Sequence, residues 1–137
     1  RWGERVESPV INEGEADILL AFEQLEAARY LPYLKKGGVV VTNTQKIDPM
    51  PVITGAAAYP AALLEKIEAA GVRLTAVDAL RLAEEAGSQK AVNVVLIGAM
   101  ASSLDIPEES WLSAIEKTVP AKILDMNKRA FALGYRA

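Results

Sequence analysis

ADILLAFEQLEAARYLPYLKKGGVVVTN, residues 16–43, sets two apolar runs around a helical pattern. In the first run Ile18, Leu19, Leu20 and Phe22 leave no polar side for water, the pattern of a strand covered on both faces in a parallel sheet. In the second, Val39, Val40 and Val41 are β-branched and read the same way. Between them Leu25, Ala28 and Leu31 recur at helical spacing. Pro32 predicts a break with one more turn through Leu34, and Gly37-Gly38 predicts the C-terminal close of that helix. Two buried strands joined by a helix-length connection form a βαβ unit, whose crossover is right-handed. Ligands and partners of such sheets meet the carboxyl ends of the strands. Those ends are Glu23-Gln24 and Thr42-Asn43-Thr44-Gln45, and any site of this unit belongs there.

Upstream, RWGERVESPVI suggests two short extended pieces around Gly3-Glu4, with Pro9 limiting the second to an edge. The turn cluster Asn12-Glu13-Gly14-Glu15 leads into the first strand. The chain starts at Arg1 without a Met, as if within a longer protein. Downstream, residues 44–60 carry three prolines and no clear periodicity. Ile47, Met50, Val52 and Ile53 are too apolar for a freely solvated loop, so this stretch folds back or meets another subunit. Pro60 and Gly71 bracket the next helix, with Leu63, Leu64, Ile67 and Ala70 as its buried stripe. A third strand follows over 72–77, then a short helix from Ala79 to Ala86 that Asp78 caps and Gly87 stops.

Ser88 caps a helix through KAVNVVLIGAMASSL that is apolar nearly all round and therefore buried on most sides. In it Gly98, Ala99 and Ala101 allow a close neighbour. Asp105-Ile106-Pro107-Glu108 reads as the capped start of a helix bearing Trp111, Leu112, Ile115 and Val119. A last helix, about 121–133, presents Ile123, Met126, Ala130 and Leu133. The order of elements predicts an α/β fold: a single three-layer, Rossmann-like domain over residues 1–137, with a mostly parallel sheet and a helical C-terminal half.

Composition narrows the chemistry. The chain of 137 residues is 51% hydrophobic and 24% charged, with net charge −3. This suits one globular domain, and it argues against a nucleic-acid surface, which needs clustered Lys and Arg. No apolar run approaches a membrane span, and no signal peptide is visible, so the expected compartment is the cytoplasm. His and Cys are both absent. That removes the usual general base, disulfides, zinc sites and thiolate-bound iron–sulfur clusters. Redox or metal chemistry near this chain would belong to another chain or a cofactor.

The candidate contacts are few. Glu23 suits a ligand at the sheet edge, but an acid is also favoured at a helix N-terminus. Asn43, Thr44 and Gln45 suit a bound ligand as well as a turn. Asn93 reads as a buried amide tying its helix to a loop backbone. Gln89 and Lys90 read as solvated rather than anion-binding. Gly37-Gly38 precedes a strand, the wrong order for a phosphate-binding turn.

Four motifs, taken in order, resemble a known family: A-D-x-L-L-A-F-E at Ala16–Glu23, G-G-x-V-V-x-N at Gly37–Asn43, N-V-x-L-x-G-A at Asn93–Ala99, and N-x-x-A-F-x-x-G-Y at Asn127–Tyr135. Together the chain resembles the gamma-type domain of 2-oxoacid:ferredoxin oxidoreductases, nearest the indolepyruvate (arylpyruvate) branch. The resemblance implies a non-catalytic subunit of an oxygen-sensitive complex that oxidatively decarboxylates 2-oxoacids to acyl-CoA and passes electrons to ferredoxin. Thiamine diphosphate, iron–sulfur clusters and CoA are implied for the complex and none for this chain, the first two belonging to a large (alpha) subunit. It also implies a strand and Gly-rich turn ahead of Arg1. No catalytic residue or metal ligand is assigned; Glu23, Asn43, Thr44 and Gln45 stand as candidate cofactor contacts. The alternatives are a free-standing CoA- or nucleotide-binding module, a homodimer when isolated, and the gamma subunit of a pyruvate, 2-oxoglutarate or branched-chain enzyme.

Overall fold

The computed structural model describes residues 1–137. Strand β1 (Ala16–Ala21), helix α1 (Gln24–Tyr30) and strand β2 (Leu34–Asn43) form the βαβ unit. A single helical turn α2 (Met50–Ile53), helix α3 (Leu63–Ala69) and strand β3 (Arg73–Val77) follow. The remainder is helical: α4 (Ala79–Ala86), α5 (Val92–Ala101), α6 (Glu108–Thr118) and α7 (Ala121–Tyr135). The sheet runs β1-β2-β3 and every pairing is parallel.

The alternation of side chains along β2 builds the three layers. Val39 and Val41 point into a core shared with Val77, Leu82, Val95 and Leu96, under α4 and α5. Val40 points the other way, onto Ala27 of α1 and Ile67 of α3. The predicted α/β architecture with helices on both faces of a parallel sheet is therefore present. β2 is its central strand.

Several local expectations give way. β1 is an edge strand, with a neighbour on one side only. Ile18, Leu19 and Leu20 are accordingly half-buried, and Phe22 is 48% exposed just past the strand. Gly37-Gly38 does not close a helix. Pro32 already ends α1 in a 3-10 turn over Leu31–Tyr33, and β2 starts at Leu34. Pairing then jumps from Ala16–Leu34 to Ile18–Val39, so Lys35–Gly38 bulge out of the ladder. Gly37 supplies the positive φ of +71° that this bulge needs.

Residues 1–15 contain no strand. Pro9 has no N–H to offer and the run has no continuous apolar face to bury. The segment is held instead by the Arg1–Glu15 ion pair and by Gly14 N–H donating to Pro32 O at 3.0 Å.

Helix α3 starts at Leu63 rather than beside Pro60, because Ala62 adopts a left-handed φ of +56°. Its stripe is Leu63 and Ile67, with Leu64 half-buried and Ala70 exposed. α6 begins where expected, but Asp105 makes no cap. Asn93 is exposed rather than buried, since it lies on the open side of α5.

The α5–α7 pair organises the helical half. α7 buries Asn127, Ala130, Phe131 and Gly134, with the expected Met126 and Leu133 half-buried against the same core and only Ile123 exposed. Backbone proximity sets this face: a Cβ on Gly98 would fall on the Phe131 carbonyl oxygen, and one on Gly134 would fall on that of Val95. Phe131 is sandwiched between Trp111 (centroids 6.3 Å apart) and Tyr135 (5.8 Å). From the same helix, Arg129 donates to Ala86 O at 3.0 Å, placing a cation at the carboxyl end of α4.

Candidate functional site

At the carboxyl edge of the sheet the chain leaves β1 in extended conformation (φ −158°, ψ 147°) at Glu23. That geometry turns the side chain back over the first turn of α1. Its Oε2 accepts from Leu25 N–H at 2.7 Å and Glu26 N–H at 3.2 Å, a helix N-cap. Its Oε1 accepts from Ile47 N–H at 3.3 Å and from the Tyr59 hydroxyl. Glu23 is 5% exposed. One carboxylate thus caps α1 and fastens both ends of the 46–59 segment. Lys46 lies 5.8 Å from the Tyr59 ring centroid, a cation–π contact that reinforces the closure.

Asn43 does the equivalent work at the end of β2. It is 1% exposed, and its Oδ1 accepts from Ala79 N–H at 3.2 Å, so it anchors the start of α4 beside the Asp78 cap. Gln45 lies against it, with Asn43 Nδ2 donating to Gln45 Oε1 at 3.3 Å. The backbone of Thr44 is used on both sides: its N–H donates to Val77 O at 2.9 Å and its carbonyl accepts from Gln24 Nε2.

All four residues singled out from sequence therefore lie along one edge. Glu23 and Asn43 are occupied by backbone partners; the Thr44 side chain is half-buried and that of Gln45 exposed. Gln24, read from sequence only as part of the strand end, also belongs to this edge; Tyr59 was not legible as a member. Tyr59 joins through the folding-back of residues 46–59, which no short-range spacing announces.

Burial and the facing Glu23 carboxylate push the Tyr59 phenol pKa well above its usual value. The stabilisation this implies is fully present below the unfolded phenol pKa of about 10 and is lost as pH rises through the folded value. In a spectrophotometric titration of the four tyrosines, one phenol should ionise after the others. Tyr59→Phe should remove that late step, and an unchanged titration curve would refute the assignment.

A cavity of about 730 Å³ lies at the opposite end of the sheet. Trp2, Glu15, Asp17, Lys35, Arg73 and Leu104 are among its lining. Most of its charges pair with each other, Arg1 with Glu15, Arg5 with Glu7 and Lys35 with Asp17. The Asn12 N–H holds the Glu15 carboxyl below the usual range, and Lys35 does the same for Asp17. No cluster of three metal-ligating side chains occurs anywhere. A chain without Cys or His has no donors that fit an iron–sulfur cluster.

Fold and edge together define an α/β domain in which Glu23 and Asn43, at the ends of β1 and β2, hold neighbouring backbone groups in place. The family model described as pyruvate ferredoxin/flavodoxin oxidoreductase matches residues 1–137, and the chain belongs to that family. It is 46% identical to indolepyruvate oxidoreductase subunit IorB of Thermococcus kodakarensis, over 100% of this chain and 70% of that protein. The corresponding subunit of Pyrococcus horikoshii is 43% identical over the same shares, 100% and 70%. A crystal structure of the keto/oxoacid ferredoxin oxidoreductase gamma subunit from Geobacter sulfurreducens superposes with TM-score 0.65 at 25% identity, covering 93% of this chain and 66% of that one. The resemblance read from the four motifs is thereby established. No helix is long and apolar enough to cross a membrane.

Proposed function

We propose that this chain is the smaller, non-catalytic subunit of an indolepyruvate/arylpyruvate:ferredoxin oxidoreductase, completing a complex that converts 2-oxoacids to acyl-CoA. The carrying observation is the 46% identity to an IorB subunit along the entire chain. The absence of imidazole and thiol supports the division of labour. Thiamine diphosphate and iron–sulfur clusters supply the carbon chemistry and electron path from the larger subunit. This chain contributes shape and shelter at the sheet's carboxyl edge, where Glu23 and Asn43 fix the backbone and Thr44 and Gln45 face outward toward the cofactor-bearing subunit. The branched-chain alternative has a specific observation behind it, 29% identity to a ketoisovalerate oxidoreductase subunit VorA, but the likeness is weaker.

The test is reconstitution of the full-length subunit with its cognate larger subunit under anaerobic conditions. Arylpyruvate-dependent ferredoxin reduction should require both chains. A larger subunit that matches the pair in rate, affinity and stability would end this reading.

A further inference from the structure

The 46–59 segment combines features that no folding requirement of this chain explains. Ile47, Met50 and Ile53 are 56%, 67% and 66% exposed. No charged side chain occurs between Asp48 and Glu65, in a protein that is 24% charged. Most of that uncharged stretch is exposed. Large apolar side chains with charge depleted around them are the composition of an interface core. The segment is nevertheless shaped in advance. Glu23 holds Ile47 N–H at one end and the Tyr59 hydroxyl at the other. Between them the turn of α2 closes through Thr54 N–H to Met50 O at 2.9 Å, with the Thr54 hydroxyl on the same carbonyl at 3.0 Å.

We infer that residues 46–59 form a preformed docking strap for the larger subunit, with Met50 and Ile53 entering an uncharged apolar socket there and Glu23 and Tyr59 acting as its positioning residues. The inference rests on the subunit reading above. A segment already ordered loses less conformational entropy on association than a loose loop would. A second copy of this chain is the poorer occupant. A protruding apolar tip needs an uncharged concave acceptor, and the cavity at the other end of the sheet sets seven charged side chains, Arg1 and Arg73 among them, beside its seven hydrophobic ones.

Binding of the full-length subunit to its cognate larger subunit is measured by calorimetry, with amide exchange read in parallel. Met50→Asp/Ile53→Asp should weaken association by roughly thirty-fold or more, with the thermal midpoint of the isolated subunit unchanged because both side chains are exposed. Tyr59→Phe keeps the apolar tip and frees one end, so it should weaken association by about ten-fold or less through lost preorganisation. Protection at residues 47–58 should rise in the complex. Wild-type affinity in the double-Asp variant, or unchanged protection of the strap in a complex that does form, would overturn the docking assignment and leave the subunit reading intact. A double-Asp variant that binds normally while losing a wild-type self-association would assign the strap to a second copy instead. No binding by the wild-type chain at all would overturn the subunit reading itself.

Discussion

Gly134→Ala should lower the stability of this domain by about 3 kcal/mol, which is large against the roughly 5–15 kcal/mol of a whole domain. The substituted Cβ would fall on the Val95 carbonyl oxygen, with Val95 Cα a further 3.0 Å contact. A backbone atom cannot rotate away as a side chain can, so α5 and α7 must separate. Overpacking of an ordinary core site costs about 1–3 kcal/mol and occasionally more; we place this one at about 4. Alanine's better helix propensity offsets about 1 of that. The thermal midpoint should fall by roughly 10 °C, measured by calorimetry alongside urea unfolding. Gly98→Ala meets the reciprocal obstacle, the Phe131 carbonyl. Because either substitution opens the same helix crossing, the double variant should cost clearly less than the sum of the two. Two full, additive losses would mean the glycines act independently, and a midpoint within a degree or two of wild type would remove the close crossing as an organising contact.

That crossing also explains which parts of the molecule the sequence discloses. β2 was legible because Val39, Val40 and Val41 are apolar on both faces and strands covered on both sides need that. α4 was legible end to end because Asp78 and Gly87 act locally, within the reach of a cap. The face of α7 was legible only in part. Hydrophobic spacing finds Met126, Ala130 and Leu133, which do pack inward, but it wrongly adds Ile123 and misses Asn127 and Gly134, the second of which is set by how closely it lets α5 approach. Hydrophobic periodicity reports burial and is silent about backbone distance.

A related silence hid the role of Gly37-Gly38. A glycine pair after a helical run suits a C-terminal cap and a strand bulge equally well, and only the pairing of Ala16 with Leu34 decides between them. The carboxyl edge was half readable for the same reason. Strand ends could be located and their polar residues named. What those residues bond to depends on where residues 46–59 return, and the return is made by Tyr59, thirty-odd positions from Glu23 in sequence.

Glu23→Ala puts that return to the test, and should destabilise the domain by about 3 kcal/mol. Loss of the N-cap at Leu25 and Glu26 accounts for about 1 kcal/mol. Leaving the Ile47 N–H and the Tyr59 hydroxyl without their acceptor adds about 1 kcal/mol each, since both partners are at least partly shielded from water. Glu23→Gln has the same shape but only one accepting oxygen, so it can serve the helix cap or the strap and not both; about half the loss is expected. Tyr59→Phe should cost about 1 kcal/mol alone and much less in the Glu23→Ala background, where its partner is already gone. The coupling read from that cycle isolates the Glu23–Tyr59 contact from the cap. Amide exchange gives the spatial signature: protection should fall at Ile47 and through the Met50–Ile53 turn, while the α5–α7 pair, which shares no contact with Glu23, keeps its own. Uniform loss of protection across the domain would show that Glu23 supports the fold as a whole, and that the strap has no separate fastening for a partner to exploit.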